Sequence, residues 1–470
     1  MVLNPSGLEE TGGLKRRLGL FDSVMVQVGI IIGSGVFLTT GIMARSLPSP
    51  SLILLAWLVG GLLTLAGALT YAELGAAMPK AGGQYVYLRE AFGPLAGFLF
   101  GWILFLVYMT GGIAALALAF AEYFGSLFPG LDVNRVLLGL TLPVGRGLRY
   151  SLSAGQLVAV GAIAFFSLLN ALGVWLGKTV QNGLTVFKIG ILAALVGMGF
   201  LFGKGQPPSL AIGTSSPGFT ALLTGFGVSL VAVAWAFDGW NNVNFVAGEI
   251  KNPGRNLPRA LMIGTLGVTV LYLLVNYLYL YALPMDEMAG VVRIAEKATG
   301  ALFGRSTGLW ISAAVVISTL GSINGSILAG PRVYYAMSRD GLFFRKAGAV
   351  HPRFQTPAAS IVVQGIWASV LTIAGTFEQI FTFAMFTSIL FWVAGAASVF
   401  VLRRKAPDLE RPYKTWGYPV VPAIFILCSL GILLNTLLEK PVESLAGLGL
   451  LALGFPVYYY WRTKGRKFHE

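Results

Sequence analysis

Three groups of residues stand out against an otherwise apolar chain, and the types and spacing in each suggest a chemistry. The first is Val28-Gly-Ile-Ile-Ile-Gly-Ser-Gly-Val-Phe37, in which Gly29, Gly33 and Gly35 crowd one stretch. Glycine weakens a helix by about 1 kcal/mol relative to alanine, so a helix entering this stretch is expected to break at Gly33-Ser34-Gly35. The second half of such a helix begins with free N–H groups and a positive dipole end, both of which suit a carboxylate. The carbonyls of Ile31 and Ile32 would end the first half and suit an ammonium. The competing explanation is a packing surface of small residues. Gly29 and Gly33 have that spacing, whereas Gly35 does not.

The second group is Trp235-Ala-Phe-Asp-Gly-Trp-Asn-Asn-Val-Asn244, which puts an acid, a glycine and three asparagines in an apolar run. A carboxylate inside a membrane is costly and is by default a functional candidate. The carbonyls of Trp235 and Asp238 can accept from an ammonium beside Gly239, and the Trp235 ring can close over it. An aromatic before a helix break also reads as core packing, and the residue types leave open whether the Asp238 side chain takes part. The third is Lys188, about ten residues into its apolar run. A lysine at mid-bilayer costs roughly 3 kcal/mol. It reads as a strut bonded to helix carbonyls, as a fixed cation standing where an ion would sit, or as a proton carrier. Ser318 or Thr319, in the serine-rich stretch Ser318 to Ser326, is expected to face it.

The elements that must position these groups are membrane helices. Of 470 residues, 56% are hydrophobic and 11% charged, against about 25% charged in soluble domains, and the mean hydropathy is +0.76. Runs long enough to cross about 30 Å of hydrocarbon fall at 20–44, 51–78, 93–124, 154–173, 179–203, 217–247, 258–283, 306–338, 357–375, 377–402, 418–437 and 442–461. The fold class expected is an all-α polytopic membrane protein with twelve transmembrane helices. The first run is too long for a signal-peptide core and lacks a cleavage site, so it is read as a retained span. Asn256 and Pro258 are expected to open the seventh helix as N-cap and early-turn proline.

Lys and Arg set the orientation. With the N-terminus inside, the inner segments hold 23 basic residues and the outer segments 9, which places both termini in the cytoplasm of a multi-pass cell-membrane protein. The net charge of +14 is then topology, not nucleic-acid binding. Spans one and six, each interrupted, lie five apart, as two five-helix halves in an inverted repeat require. Paired discontinuous helices in such folds mark a site at the midplane. The organisation expected is a cytoplasmic tail over 1–18, a first repeat over 19–203, a second over 217–402, and two further helices with a basic cytoplasmic end over 403–470. The histidines, His351 and His469, lie outside the spans, Cys428 stands alone, and no Walker-type loop occurs. No metal, haem or other cofactor is expected, and neither an enzyme nor a sensor has the residues or output domain it would need.

Several motifs together resemble the amino acid–polyamine–organocation superfamily. They are Ile32-Gly-Ser-Gly-Val-Phe37, Tyr71-Ala-Glu-Leu74, Pro79-Lys-Ala-Gly-Gly-Gln-Tyr85 and Gly248-Glu-Ile-Lys-Asn-Pro253. Phe237-Asp-Gly-Trp-Asn241, Asn252-Pro-Gly-Arg-Asn-Leu-Pro258, Gly321-Ser-Ile-Asn-Gly-Ser326, Pro407-Asp-Leu-Glu-Arg-Pro412 and Lys440-Pro-Val-Glu443 narrow the resemblance to the L-type light-chain family and bacterial serine/threonine exchanger-like members. It runs from about residue 13 to 462.

The resemblance implies a sodium-independent transporter of neutral L-amino acids that works by alternating access, as an exchanger. Carried over by motif, Ile31, Ser34 and Gly35 hold the substrate backbone, and Trp235, Asp238 and Gly239 complete that site, with Trp235 as its gate. Lys188, with Ser318, falls where the family replaces a sodium ion. The side-chain pocket is expected to draw on Tyr108, Thr110, Trp235, Asn324 and Phe391. A proton-coupled importer using Lys188, possibly of cationic amino acids, is the alternative. Two departures stand out. Residues 125–153 contain no cysteine, so a disulfide to a heavy chain through that loop is not expected. Phe391 falls where some large-neutral transporters are polar, so their side-chain specificity does not transfer.

Overall fold

The computed structural model of the chain describes residues 14–142, 148–210, 218–304, 306–374 and 377–466. The tail as far as residue 13, and Arg146, Arg305, Lys467 and His469, lie outside them. Among the described residues, eleven helical segments are long and apolar enough to cross a bilayer, and Ala358–Ala374 is a shorter twelfth. Backbone polar groups have no water to turn to in hydrocarbon, so each span satisfies its own as a helix. The interruptions are therefore the informative places.

Span one is two helices, Leu20–Ile31 and Gly35–Ser46. Span six ends as an α-helix at Ala236 and resumes as the 3-10 turns Asn242–Glu249. Span three holds a third irregularity: Pro94–Ile103 and Met109–Leu127 are joined by a π-helical turn, Leu104–Tyr108. Span seven starts earlier than its expected N-cap at Asn256. It runs Pro253–Ala282, with Asn252 in the left-handed region at φ 47° before it. Pro253 takes the first position, where its missing N–H costs nothing. Pro258 lies inside the helix and leaves the Gly254 carbonyl without its usual donor, and the Asn256 amide bonds the Lys251 carbonyl at 2.5 Å. The all-α expectation also misses an antiparallel hairpin, Val136–Leu142 with Leu148–Ser153, between spans three and four.

Helix contacts follow the fivefold offset of a repeat. Spans two and seven, three and eight, and four and nine pack on each other. The pairs one–seven and five–eight are matched by six–two and ten–three. Five is odd, so corresponding helices cross the bilayer in opposite directions. The last two spans, Val420–Glu439 and Pro441–Arg466, pack outside this arrangement, against spans ten, two and six and against spans three and ten. Spans one, three and eight lie deepest, with 78%, 89% and 83% of their apolar windows buried, against 33% and 22% for the last two. Span six, whose helix Phe219–Ala236 is only 28% buried, joins this centre through its interruption, where Trp235 to Phe237 and Trp240 to Ala247 are buried.

One end of the bundle is laced by ion pairs between elements. Glu249 meets Arg332 at 2.7 Å with both side chains 1% exposed. Glu73 holds Arg403 at 2.7 Å and Arg411 at 3.4 Å, Asp22 holds Lys178 at 3.1 Å, and Arg89 pairs with Asp340. The segment before span one joins this lacing, with Leu18 bridged to Ile250 and the Lys251 N–H bonded to the Leu18 carbonyl at 2.8 Å. At the opposite end, the described pairs Arg293–Glu296 and Lys297–Glu287 stay within one connector.

Candidate functional site

The two broken helices meet. Gly35 is so close to span six that a Cβ on it would lie 2.4 Å from the Ala236 Cα. Gly239 turns the chain at φ +91°, and a Cβ there would lie 2.2 Å from the Ile30 Cγ2. Both glycines are required by close approach, and Gly239 also by its backbone angle. Tyr272 of span seven fastens the junction, its hydroxyl lying 3.0 Å from the carbonyls of both Ile31 and Ala236.

Beside this junction lies a small cavity of about 30 Å³, room for roughly two waters. Ile30, Ile31, Ser34 and Gly35 line it from span one, and Trp235, Asp238 and Asn242 from span six. Tyr108, Met109, Gly112 and Leu116 come from span three, and Ser326 from span eight. The sequence-derived residues Ile31, Ser34, Gly35, Trp235, Asp238 and Tyr108 are thus brought together. The Tyr108 hydroxyl donates to the Asp238 carboxylate at 3.0 Å and accepts from the Trp392 indole at 3.3 Å. The Ser34 hydroxyl and the Asn242 Oδ1 are buried without a hydrogen-bond partner.

Other sequence-derived residues lie elsewhere. Gly239 sits behind the cavity against Ile30. Asn324 is turned toward spans four and five, bonded to Asn170 at 2.7 Å, Gln181 at 2.8 Å and the Gly177 carbonyl at 3.2 Å. The Phe391 ring packs edge-on against Phe100, and its carbonyl accepts from Gln84 at 2.6 Å. The Thr110 hydroxyl bonds the Phe105 carbonyl five residues back at 2.6 Å. That carbonyl belongs to the π turn, whose Leu104 and Leu106 carbonyls are taken by the Tyr334 hydroxyl and the Trp367 indole. Such turns re-aim the side chains that follow, and here Tyr108 and Met109 face the cavity.

Lys188 stands behind the break of span one. Its ammonium donates to the carbonyls of Gly29 at 2.9 Å and Ile32 at 2.6 Å and to the Ser322 hydroxyl at 3.2 Å. Ser322 bonds the same two carbonyls, both at 2.9 Å, and Ser318 bonds that of Ile32 at 3.2 Å. Ser322 is therefore the span-eight residue that meets Lys188, while Thr319 bonds back to its own helix. The Ile32 carbonyl, read from the sequence as open to an ammonium, is filled from within. Among the described residues no cluster of His, Cys, Asp or Glu has the makings of a metal site.

Residues 18–454 match the amino acid permease family. The chain belongs to that family. The permease is 34% identical to the serine/threonine exchanger SteT of Bacillus subtilis (strain 168), over 96% of this chain and 98% of that protein. It is 30% identical to the b(0,+)-type amino acid transporter 1 of Mus musculus, covering 96% of this chain and 88% of the relative. To the large neutral amino acids transporter small subunit 2 of the same species it is 31% identical, over 99% and 86%. The permease is thus a multi-pass membrane protein of a transporter family, not an enzyme.

Proposed function

We propose that this permease exchanges neutral L-amino acids across the cell membrane by alternating access, without sodium, with both termini in the cytoplasm. The observation that carries the reading is the single cavity bounded by both helix breaks. The Phe37 N–H is taken by the Ser34 carbonyl at 3.0 Å; the Gly35 and Val36 N–H groups, at the helix start where intrahelical acceptors are lacking, suit the α-carboxylate, with the unpartnered Ser34 hydroxyl beside them. The Ile31 carbonyl, expected from the sequence to be open, is taken by the Tyr272 hydroxyl at 3.0 Å and the Gly33 N–H at 2.7 Å, so Ile31 lines the ammonium side that Trp235 and Asp238 form, Gly239 gives the chain its turn there, and the Trp235 ring is the gate. Residues 19–203 and 217–402 act as the two repeats that rock about this point.

The sodium-free part rests on Lys188 and Ser318. Two carbonyls and two serine hydroxyls converge behind the break, a donor set that would suit a small cation, and the tethered ammonium fills it. Three N–H donors find three acceptors there, which fits a fixed cation better than a proton carrier. Exchange, not one-way transport, follows the printed activity of the serine/threonine relative. Tyr108 belongs to the side-chain pocket, while Thr110, Asn324 and Phe391 shape it from behind. With Cys428 as the one cysteine, no disulfide joins a heavy chain through the loop between spans three and four.

The test is counter-transport in proteoliposomes. Vesicles loaded with unlabelled alanine, serine or leucine should take up labelled neutral amino acid without sodium, and empty vesicles should not. No uptake of any neutral amino acid overturns the proposal; uptake into empty vesicles driven by a pH gradient moves the mechanism to proton coupling. A second reading, cationic substrates, is favoured by one observation, the Asp238 carboxylate in the cavity wall. Arginine or lysine counter-transport that outruns every neutral substrate would establish it.

A further inference from the structure

The cavity between the two breaks, about 30 Å³, has room for roughly two waters and not for an amino acid, so a wall gives way when substrate enters. Span eight is a wall with a joint in it. Its helix Ser306–Ala329 ends at Gly330 and resumes as Pro331–Arg339. Pro331 has no N–H to give the Ile327 carbonyl one turn back. The two sides of this joint are tied to different helices. Before it, Ser318 and Ser322 bond the carbonyls at the break of span one. After it, Arg332 is paired with Glu249, beyond the break of span six. Ser326 lines the cavity, and its carbonyl accepts from the Gly330 N–H at 3.0 Å.

Against the joint lies a side chain whose polar atoms are idle. Gln364 of span nine is 0% exposed, and neither its Nε2 nor its Oε1 has a hydrogen-bond partner. It packs on Gly330, where a Cβ would lie 2.2 Å from the Gln364 Oε1. The next residue, Gly365, meets a second idle group, the Ser167 hydroxyl of span four. An amide with both ends unpaired in an apolar interior is costly, and such groups are rare enough to call for an explanation.

We infer that span eight bends at Gly330–Pro331 to admit substrate, and that Gln364 is the positioning residue that holds the bent form. The bend parts the Gly330 N–H from the Ser326 carbonyl. The Gln364 amide offers an acceptor for that N–H and a donor for the Ile327 carbonyl. Its two ends are idle while the span is straight and used once it bends, so they favour bending. The inference rests on the alternating-access reading and names one of its joints.

Gln364→Leu keeps most of the bulk and removes the amide. Without substrate, the purified variant should melt at the temperature of the unaltered protein or above it, since no bond is lost in the straight form. The concentration of alanine, serine or leucine giving half-maximal thermal stabilisation should rise roughly tenfold, the equivalent of one good neutral hydrogen bond. The rise should be the same for each, because Gln364 touches none of them. Gln364→Met, closer in shape, should behave alike and decides the matter if the leucine variant does not fold. A lower melting temperature of both variants without substrate overturns the inference, because the amide would then be bonded in the straight form. So does unchanged substrate affinity, or a rise that differs among the three amino acids. Those results leave the exchanger reading intact. Failure of the unaltered protein to exchange any neutral amino acid removes that reading and the inference with it.

Discussion

The two interrupted helices solve the same problem differently. At the break of span one the exposed carbonyls are answered from within the protein: Gly29 and Ile32 by Lys188, Ser318 and Ser322, and Ile31 by Tyr272. At the break of span six the Asp238 carboxylate has one side-chain donor, Tyr108, and the Asn242 carbonyl has none. The carbonyl side of the first break is saturated, with only the Ser34 hydroxyl left over, while the second is short of partners on its side chains. Rigidity suits the part of a ligand that never changes, and spare hydrogen-bonding capacity suits the part that does. On the reading proposed above, both breaks share the amino acid backbone, and the spare capacity of span six is where substrates would be told apart.

Breaking the saturated side should have the largest effect. Lys188→Ala removes a charged donor from two buried carbonyls and a hydroxyl, and hydrogen bonds to charged groups contribute ~1.5–3 kcal/mol each. Counter-transport should fall by about two orders of magnitude while the protein still reaches the membrane, as read by initial rates normalised to surface amount. Wild-type rates in that variant would remove the lysine from the mechanism. An intermediate effect is expected on the other side. Tyr108→Phe takes from Asp238 the only side-chain donor it has among the described residues and should weaken substrate binding by roughly tenfold, measured as the concentration giving half-maximal thermal stabilisation. A loss as large as that of Lys188→Ala would erase the contrast between the breaks. The smallest effect is expected at Thr110→Val, which frees the Phe105 carbonyl of the π turn at about 1 kcal/mol. Thermal stability should drop by a few degrees with the preference among substrates unchanged, and an altered preference would assign Thr110 to the pocket directly.

The residues that disrupt a helix or carry an isolated charge were the ones legible in the sequence. Gly33-Ser34-Gly35 and Asp238-Gly239 contradict a continuous span, and Lys188 contradicts the bilayer, so each announces itself against an apolar background. Residues that act by geometry gave no such sign. Tyr272 reads as one more aromatic in an apolar helix until both broken ends are seen to meet its hydroxyl. The π turn at Leu104–Tyr108 has no proline or glycine to mark it; its extra residue per turn shifts the face that points inward, which is why Thr110 was expected in the pocket and Met109 was not. Asn324 and Asn242 look alike as polar residues in apolar runs. The first is consumed by Asn170 and Gln181, and only the packing of neighbouring helices tells them apart. The start of span seven was misjudged because Asn252-Pro253 and Asn256-Leu257-Pro258 are equally good opening signals.

The Tyr272 hydroxyl has a consequence for motion. It has a single proton and two acceptors at equal distance, one on each broken helix. Only one of the two contacts is a donated bond at any instant, and the proton can pass between them by rotating about the C–O axis. When the halves shift against each other, the carbonyl that stays near keeps the bond and the one that leaves gives it up. The hydroxyl thus closes the junction with one donated bond at a time, and when it is given to Ala236 the Ile31 carbonyl still accepts from the Gly33 N–H at 2.7 Å.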